Sequence, residues 1–386
     1  MQRIAKQLLT LAYAIVASAT ISYAQTVPTP TQTDEIIINP NNNGKADPGD
    51  QIRYKVTIQN TGAANATGTQ LNVVPDPRTT LVPGTFRSSP LAVPDAYTCT
   101  GNVGLDVPAA AGVKANDFDD APASLTVTPA TLTTSQGGMV MLLSNGSFMY
   151  TPPVGFNGTD TYTYTLNDGN GVGGGVPTTD VATVTITVSN LIWFIDNSSA
   201  AAASNGRLGS PFKSLADFNA GSATAASVIY IEHTGTNYTG GIVLQNNEQL
   251  FGEGHTGGAN LANVLPFTLA PNSKTLPAIN GSRPVITNSG GDGVTLAMNN
   301  TLRGFNVGNC MDFGVDNAAG SSVGNLVVSE VTINNATGGG FDAGNGSGAG
   351  TNARTSSPPA PPTLETRYVP VVRGMAMQRS FPSGIR

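Results

Sequence analysis

Residues 158–167 read Gly158-Thr159-Asp160-Thr161-Tyr162-Thr163-Tyr164-Thr165-Leu166-Asn167, and 181–188 read Val181-Ala182-Thr183-Val184-Thr185-Ile186-Thr187-Val188. In the first, Tyr162, Tyr164 and Leu166 alternate with threonines. In the second, Ala182, Val184, Ile186 and Val188 do the same. Strict alternation over this length gives a strand one apolar and one polar face, and two such strands supply the inner surface of a sandwich. The rest of the composition agrees. Only 11% of residues are charged, 46 are glycine, and amphipathic helical runs are nearly absent, which favours β-sheet with many turns.

Working outward from these strands, Asp95-Ala96-Tyr97, then 112–119 (Gly-Val-Lys-Ala-Asn-Asp-Phe-Asp), then 145–152 (Asn-Gly-Ser-Phe-Met-Tyr-Thr-Pro), then 155–160 (Gly-Phe-Asn-Gly-Thr-Asp) fall in order. Together with Tyr162-Thr163-Tyr164 they resemble a bacterial cadherin-like Ig module, a tandem repeat of adhesins, over residues 91–190. Lys114, where the pattern has an apolar residue, and Pro94, where a second acid often precedes Asp95, are departures. Asp95, Asn116, Asp117, Asp119 and Asp120 are the candidate metal ligands, because closely spaced Asp and Asn can deliver several of the six to eight oxygens that Ca²⁺ takes. Asp160 and Asp168 are secondary candidates. The resemblance implies that such acids lie near a domain junction, where a bound ion would stiffen the hinge.

Upstream, Arg3 and Lys6 precede an apolar run from Leu8 to Val16 and small residues ending at Ser22-Tyr23-Ala24, so 1–24 is expected to be a secretory signal peptide. Residues 25–33 read as a Pro/Thr/Gln linker. In 51–59, Ile52, Tyr54, Val56 and Ile58 alternate with Arg53, Lys55 and Thr57, flanked by Asp47-Pro48-Gly49-Asp50 and Asn60-Thr61-Gly62 as turns. This stretch resembles the DUF11-type Ig-like repeats of bacterial surface proteins, which implies a first β-sandwich over 34–90.

Downstream, short apolar runs such as 228–231, 249–251, 302–307 and 326–333 are separated by Asn- and Gly-rich turns. Rungs of a parallel β-helix read this way. The opening, with Ser210-Pro211-Phe212 and 250–254 (Leu-Phe-Gly-Glu-Gly), resembles right-handed β-helix domains of the pectin-lyase-like class, over 191–350. The fold class expected is therefore all-β: two Ig-like β-sandwich modules followed by a truncated right-handed parallel β-helix. Residues 351–386 carry five arginines, six prolines and one acid, unlike anything before them, and are expected to be a disordered or out-of-frame tail.

A net charge of −6 without a basic cluster argues against nucleic acid. No segment of the mature chain is long and apolar enough to span a membrane. Cys99 and Cys310 fall in different expected domains, so no disulfide framework is expected. Gly252-Glu253-Gly254-His255-Thr256-Gly257 has the letters of a dinucleotide loop but no helix after it, and reads as a β-helix turn. His233 and His255 show no metal-ligand or triad spacing and are expected at the surface or at rung corners. Asp292, Arg303, Asp312 and Asp316 are where a polysaccharide lyase or hydrolase would place its groups, yet they form no recognisable catalytic spacing. The functional expectation is a secreted or cell-surface adhesin-like protein without catalytic residues, with calcium as cofactor and polysaccharide or cell-surface glycans as partners. The alternatives are a β-helix polysaccharide lyase or hydrolase, or a structural spacer.

Overall fold

The structure, a computed structural model, describes residues 15–19, 29–59, 69–73, 78–80, 82, 88–120, 122–169, 178–221, 227–317 and 322–344. The chain divides into two compact units, Met1–Ser88 with Asn170–Pro177, and Ser89–Gly169 with Thr178–Arg386. The expected tail, 351–386, lies outside the described residues.

In the first unit, β1 (Ile15–Ala19) pairs antiparallel with β4 (Thr69–Val73), and β2 (Thr29–Ile38) with β3 (Gln51–Gln59). The strand at 51–59 is where alternation places it, and Gly49 (φ 101°) turns the chain into it. Three findings differ from expectation, the first being that residues 15–19, inside the expected leader 1–24, form β1 because Ile15 and Val16 suit a strand. Residues 29–33 of the expected linker belong to β2, since threonines suit a strand and Pro30 is tolerable on a two-stranded edge. Tyr54 is 45% exposed and Ile52 and Val56 are only half-buried, because a sheet face becomes core only when a second layer lies on it.

The second unit begins with a sandwich. One sheet has the order β6 (Leu105–Val107), β10 (Phe148–Thr151), β9 (Met139–Leu142), β8 (Ala130–Thr133). The other has the order β5 (Asp95–Thr100), β12 (Thr179–Ser189), β11 (Gly158–Asn167), β7 (Thr126–Val127), with β5 parallel to β12. The alternation at 158–167 and 181–188 is realised: Tyr162, Tyr164, Leu166, Ala182, Val184, Ile186 and Val188 all join one core. Each fully buried aliphatic side chain there contributes about 1.5–3 kcal/mol. Gly112 is required where it stands, since a Cβ on it would lie 2.2 Å from the Gly146 carbonyl oxygen of the 145–147 turn. Lys114, the departure from the family pattern, is accommodated by donating from Nζ to the Leu125 carbonyl at 2.8 Å.

The remainder is a parallel β-helix of three sheets. The first stacks β13 (Ile192–Ile195), β14 (Val228–Ile231), β17 (Gln249–Gly252), β20 (Thr301–Arg303) and β23 (Val327–Ser329). The second stacks β15 (Tyr238–Thr239), β18 (Val285–Thr287), β21 (Asn306–Cys310) and β24 (Thr332–Ala336). The third stacks β16 (Ile242–Val243), β19 (Val294–Leu296), β22 (Phe313–Asn317) and β25 (Gly339–Phe341). The corners are asparagines in left-handed conformation, Asn247 and Asn299 among them, and they ladder: Asn299 Nδ2 donates to Asn247 Oδ1 at 3.0 Å. Helix α1 (Leu215–Gly221) closes the first rung, burying Leu215 and Phe218 beside Trp193 and Phe212, while Asn219 bonds both Gly241 and Val243 along the edge of β16. An open solenoid end is thereby covered.

The sandwich and β-helix, expected as separate domains, form one unit. Leu105 bridges to Ser273, the Asp106 amide donates to the Asn272 carbonyl at 2.8 Å, and Leu208 N donates to the Asn102 carbonyl at 2.9 Å. The insertion between β17 and β18 brings Leu261, Leu276 and Ile279 onto the outer face of the first sheet, where Val103 of the sandwich joins Phe194, Tyr230 and Phe251. That sheet is thus buried on both faces, which is why 192–195 and 228–231 are continuous apolar runs rather than alternating ones. Cys99 and Cys310 are both buried and free.

Candidate functional site

The expected acidic cluster assembles at the end of the sandwich remote from the β-helix. Leu91 and Phe118 exchange backbone hydrogen bonds (2.8 and 3.1 Å), which folds the 113–118 loop against the segment leading into β5. Asp117 Oδ1 then accepts from the Val93 amide at 2.8 Å and the Tyr164 hydroxyl at 2.7 Å, and Asn116 Nδ2 donates to the Pro94 carbonyl at 3.4 Å. Asp95, the first residue of β5, faces this loop. Asp180, at the start of β12, accepts from the Ala92 amide at 2.9 Å and adds its charge to that at Asp117.

The second oxygens of these groups are short of donors. Asp95 Oδ2, Asn116 Oδ1 and Asp117 Oδ2 are all shielded from solvent and accept no hydrogen bond. Burial, and next the charge of Asp117, push the Asp95 carboxyl up to about 7 against the lowering effect of a hydrogen bond from the Asn116 side chain. Burial also raises Asp117, against the lowering effect of the Val93 amide and the Tyr164 hydroxyl. Shielded carboxylates without donors are costly, and the deficit here is one of positive charge. A hard cation would remove it. Among the described residues no group of three His, Cys, Asp or Glu side chains is placed to hold a metal ion; this loop gathers two carboxylates and one amide oxygen. Asp119 and Asp120 follow on the same loop, Asp119 half-buried and Asp120 exposed.

Asp160 and Asp168 are held elsewhere. Asp160 is fully buried and accepts from Thr134 Oγ1 (2.5 Å), Ser135 Oγ (3.1 Å), the Gln136 amide (2.9 Å), the Tyr150 hydroxyl (2.8 Å) and its neighbour's amide. Burial raises this carboxyl, but the bonds from Thr134, Tyr150, Gln136 and Ser135 together outweigh it and hold the group below its ordinary value. Asp168 is also buried and accepts from Thr178 Oγ1 at 2.8 Å.

On the β-helix, where the sequence showed no tight acid pair, Asp316 lies within reach of the charges of Asp292, Asp342 and Asp312. Burial first, and then the charges of Asp292, Asp342 and Asp312, push Asp316 up to about 6 against the lowering effect of the Asn317 amide. Arg303 stands on another sheet, in β20. The turn at 252–257 leads into no α-helix, as read from sequence, and of the two places expected for His255, surface or rung corner, it takes the corner after β17, where its amide donates to the Gly252 carbonyl at 3.0 Å. It is 5% exposed, and its Nδ1 lies 2.5 Å from Glu330 Oε2, which also accepts from the Thr256 amide at 3.0 Å. Asp180 and Glu330 were missed because each partner lies far off in sequence. Asp180 sits in a threonine-rich strand, and Glu330 at a rung corner in left-handed backbone (φ 55°).

Comparison with known proteins agrees with the sandwich. Residues 87–190 match the bacterial cadherin-like domain. No curated protein matches the chain. Among solved structures, two endo-fucoidan hydrolases of glycoside hydrolase family 107, MfFcnA4 and MfFcnA9, align over 46% of this chain with 13% and 12% identity and TM-scores of 0.19 and 0.18. The aligned part spans 24% and 28% of those enzymes.

Proposed function

We propose that this chain is an exported bacterial surface protein that binds polysaccharide, with the cadherin-like module and β-helix acting as one rigid body. The observation that carries the reading is the join: a bacterial cadherin-like module, matched over 87–190, is fused by backbone hydrogen bonds and a shared apolar cluster to a β-helix with asparagine-laddered corners. A rigid body loses little conformational freedom on binding, and rows of Asn and Thr along a solenoid face suit the repeated hydroxyls of a sugar polymer. In this reading 1–24 is a leader, 34–90 is of DUF11 type, and 191–350 belongs to the pectin-lyase-like class. Asp95, Asn116 and Asp117 hold Ca²⁺, with Asp119 and Asp120 supplying further oxygens from the same loop, and the ion clamps the 113–118 loop to the start of β5.

The Asp292, Asp312, Asp316 and Asp342 cluster favours a second reading, polysaccharide cleavage, because a carboxyl raised to about 6 beside other carboxylates can act as a general acid. Incubating the full chain with immobilised acidic and neutral polysaccharides separates the two. Retention on at least one polymer without release of reducing or unsaturated ends is expected. Release of such ends would transfer the function to the second reading, and neither retention nor release would leave a spacer.

A further inference from the structure

The burial pattern of β9 points Val140 and Leu142 into the core and Met139 and Met141 outward, 58% and 40% exposed. Met149 of β10 lies directly opposite Met141 in the antiparallel register, on the same face and half-buried. Three of the chain's eight methionines thus share the outer surface of one sheet, where Thr131 and Thr133 of β8 lie opposite Met141 and Met139 at its edge.

We propose that this face binds a soft monovalent cation, Cu(I) or Ag(I), through the thioethers of Met139, Met141 and Met149. Opposed side chains on one sheet face have Cβ atoms about 4.5–5.5 Å apart and diagonal ones about 7–8 Å. The three rotatable bonds of methionine let the sulfurs of such neighbours turn toward one point. Thioethers select Cu(I) over hard divalent ions. Asp106 is the next residue in the same cross-strand row, opposite Met149, and its exposed carboxylate offsets the cation's charge. Pro108 and Leu143 complete a shallow concavity of about 350 Å³ around Met141 and Met149. Because thioethers do not titrate, this site keeps its metal in acid, where the Asp95 group is protonated.

The test is titration of the full chain with Ag(I) at pH 5 in chloride-free buffer, following the methionine methyl resonances. The methyls of Met139, Met141 and Met149 should shift together and saturate at one ion per chain. The double variant Met141→Leu with Met149→Leu keeps an apolar face of similar size, should retain the far-ultraviolet spectrum, and should bind at least tenfold more weakly. Absence of shifts at these three methyls overturns the proposal. So does undiminished affinity in the double variant, which would place the ion on other thioethers, the exposed Met298 and Met311 among them, or on the thiols of Cys99 and Cys310.

Discussion

Two carboxylate sites in the same sandwich have opposite characters. Asp160 is buried beneath β8 and β10 and is surrounded by donors: three hydroxyls and two amides point at its two oxygens. Asp95 and Asp117 are shielded as well, yet each keeps one oxygen with nothing donating to it. The consequence is visible in opposite shifts, Asp160 downward and Asp95 up to about 7. A carboxylate whose donors come from its own fold is a structural strut. One left short of donors is poised for a partner that is not part of the chain.

The contrast breaks most visibly at the strut. Asp160→Ala would leave the Tyr150 and Thr134 hydroxyls and the Gln136 amide without their shared acceptor inside the sandwich. Loss of a buried hydrogen-bonded charge typically costs about 3–5 kcal/mol. The variant should melt far below the parent, or fail to fold, in thermal unfolding followed by circular dichroism. Added calcium should not rescue it, because Asp160 is no part of the Asp95 group. A variant as stable as the parent would show that these donors find other partners.

The starved site should respond to both pH and calcium. Burial pushes the Asp95 carboxyl up to about 7 in the folded chain from an ordinary 3.8 when unfolded, so between those values the folded state holds more protons. Metal-free stability should therefore fall as pH rises from about 4 to about 7 and level off above, on the contribution of this group. Calcium binding reverses the loss only where the carboxyl is ionised. At a hundred times its Kd it adds about 2.7 kcal/mol, or about 5 °C or more in Tm for a unit of this size. Asp95→Asn should raise the metal-free Tm at pH 8 and remove most of the calcium response. Calorimetry at pH 5 and pH 8 with and without 5 mM (about physiological extracellular order) calcium checks both signs. No heat and no shift at pH 8 would end the calcium reading.

The two sites also differ in how well the sequence discloses them. Strand periodicity revealed the β11–β12 pair, and the spacing of Asn116, Asp117 and Asp119 marked the loop, because both signals are local. Even the convergence of Asp95 on that loop came through a resemblance rather than through spacing. What sequence could not disclose is which acids are saturated: Asp160 and Asp95 look alike until Thr134 and Tyr150 are brought across from other strands. The β-helix repeats the lesson. Asparagine-rich corners are readable as turns, but the fusion of sandwich to solenoid depends on Val103 and on the 253–284 insertion, whose apolar residues show no period tying them to the outer face they cover. His255 read as a surface or rung-corner residue, and its burial against Glu330 was hidden because that partner is fixed by rung stacking and not by local spacing.

Glu330 extends the comparison to the β-helix, with the smallest effect. It is a supplied acid like Asp160, but one on a corner with partial exposure: its carboxylate meets the Thr256 hydroxyl and amide and His255, all on the insertion. Burial raises its carboxyl, but the bonds from Thr256 and His255 outweigh burial and lower it below the ordinary glutamate value. A lowered acid stabilises the fold above its unfolded pKa and loses that contribution as pH falls through the folded one. Glu330→Gln keeps an acceptor oxygen and removes the charge, so the cost at pH 7 should be about 1 kcal/mol. Parent and variant should converge in Tm as pH drops below about 4. Hydrogen exchange in 253–284 should quicken before global unfolding if the carboxylate ties the insertion to the last rung, whereas unchanged exchange there would assign the Glu330 bonds to the rung corner alone.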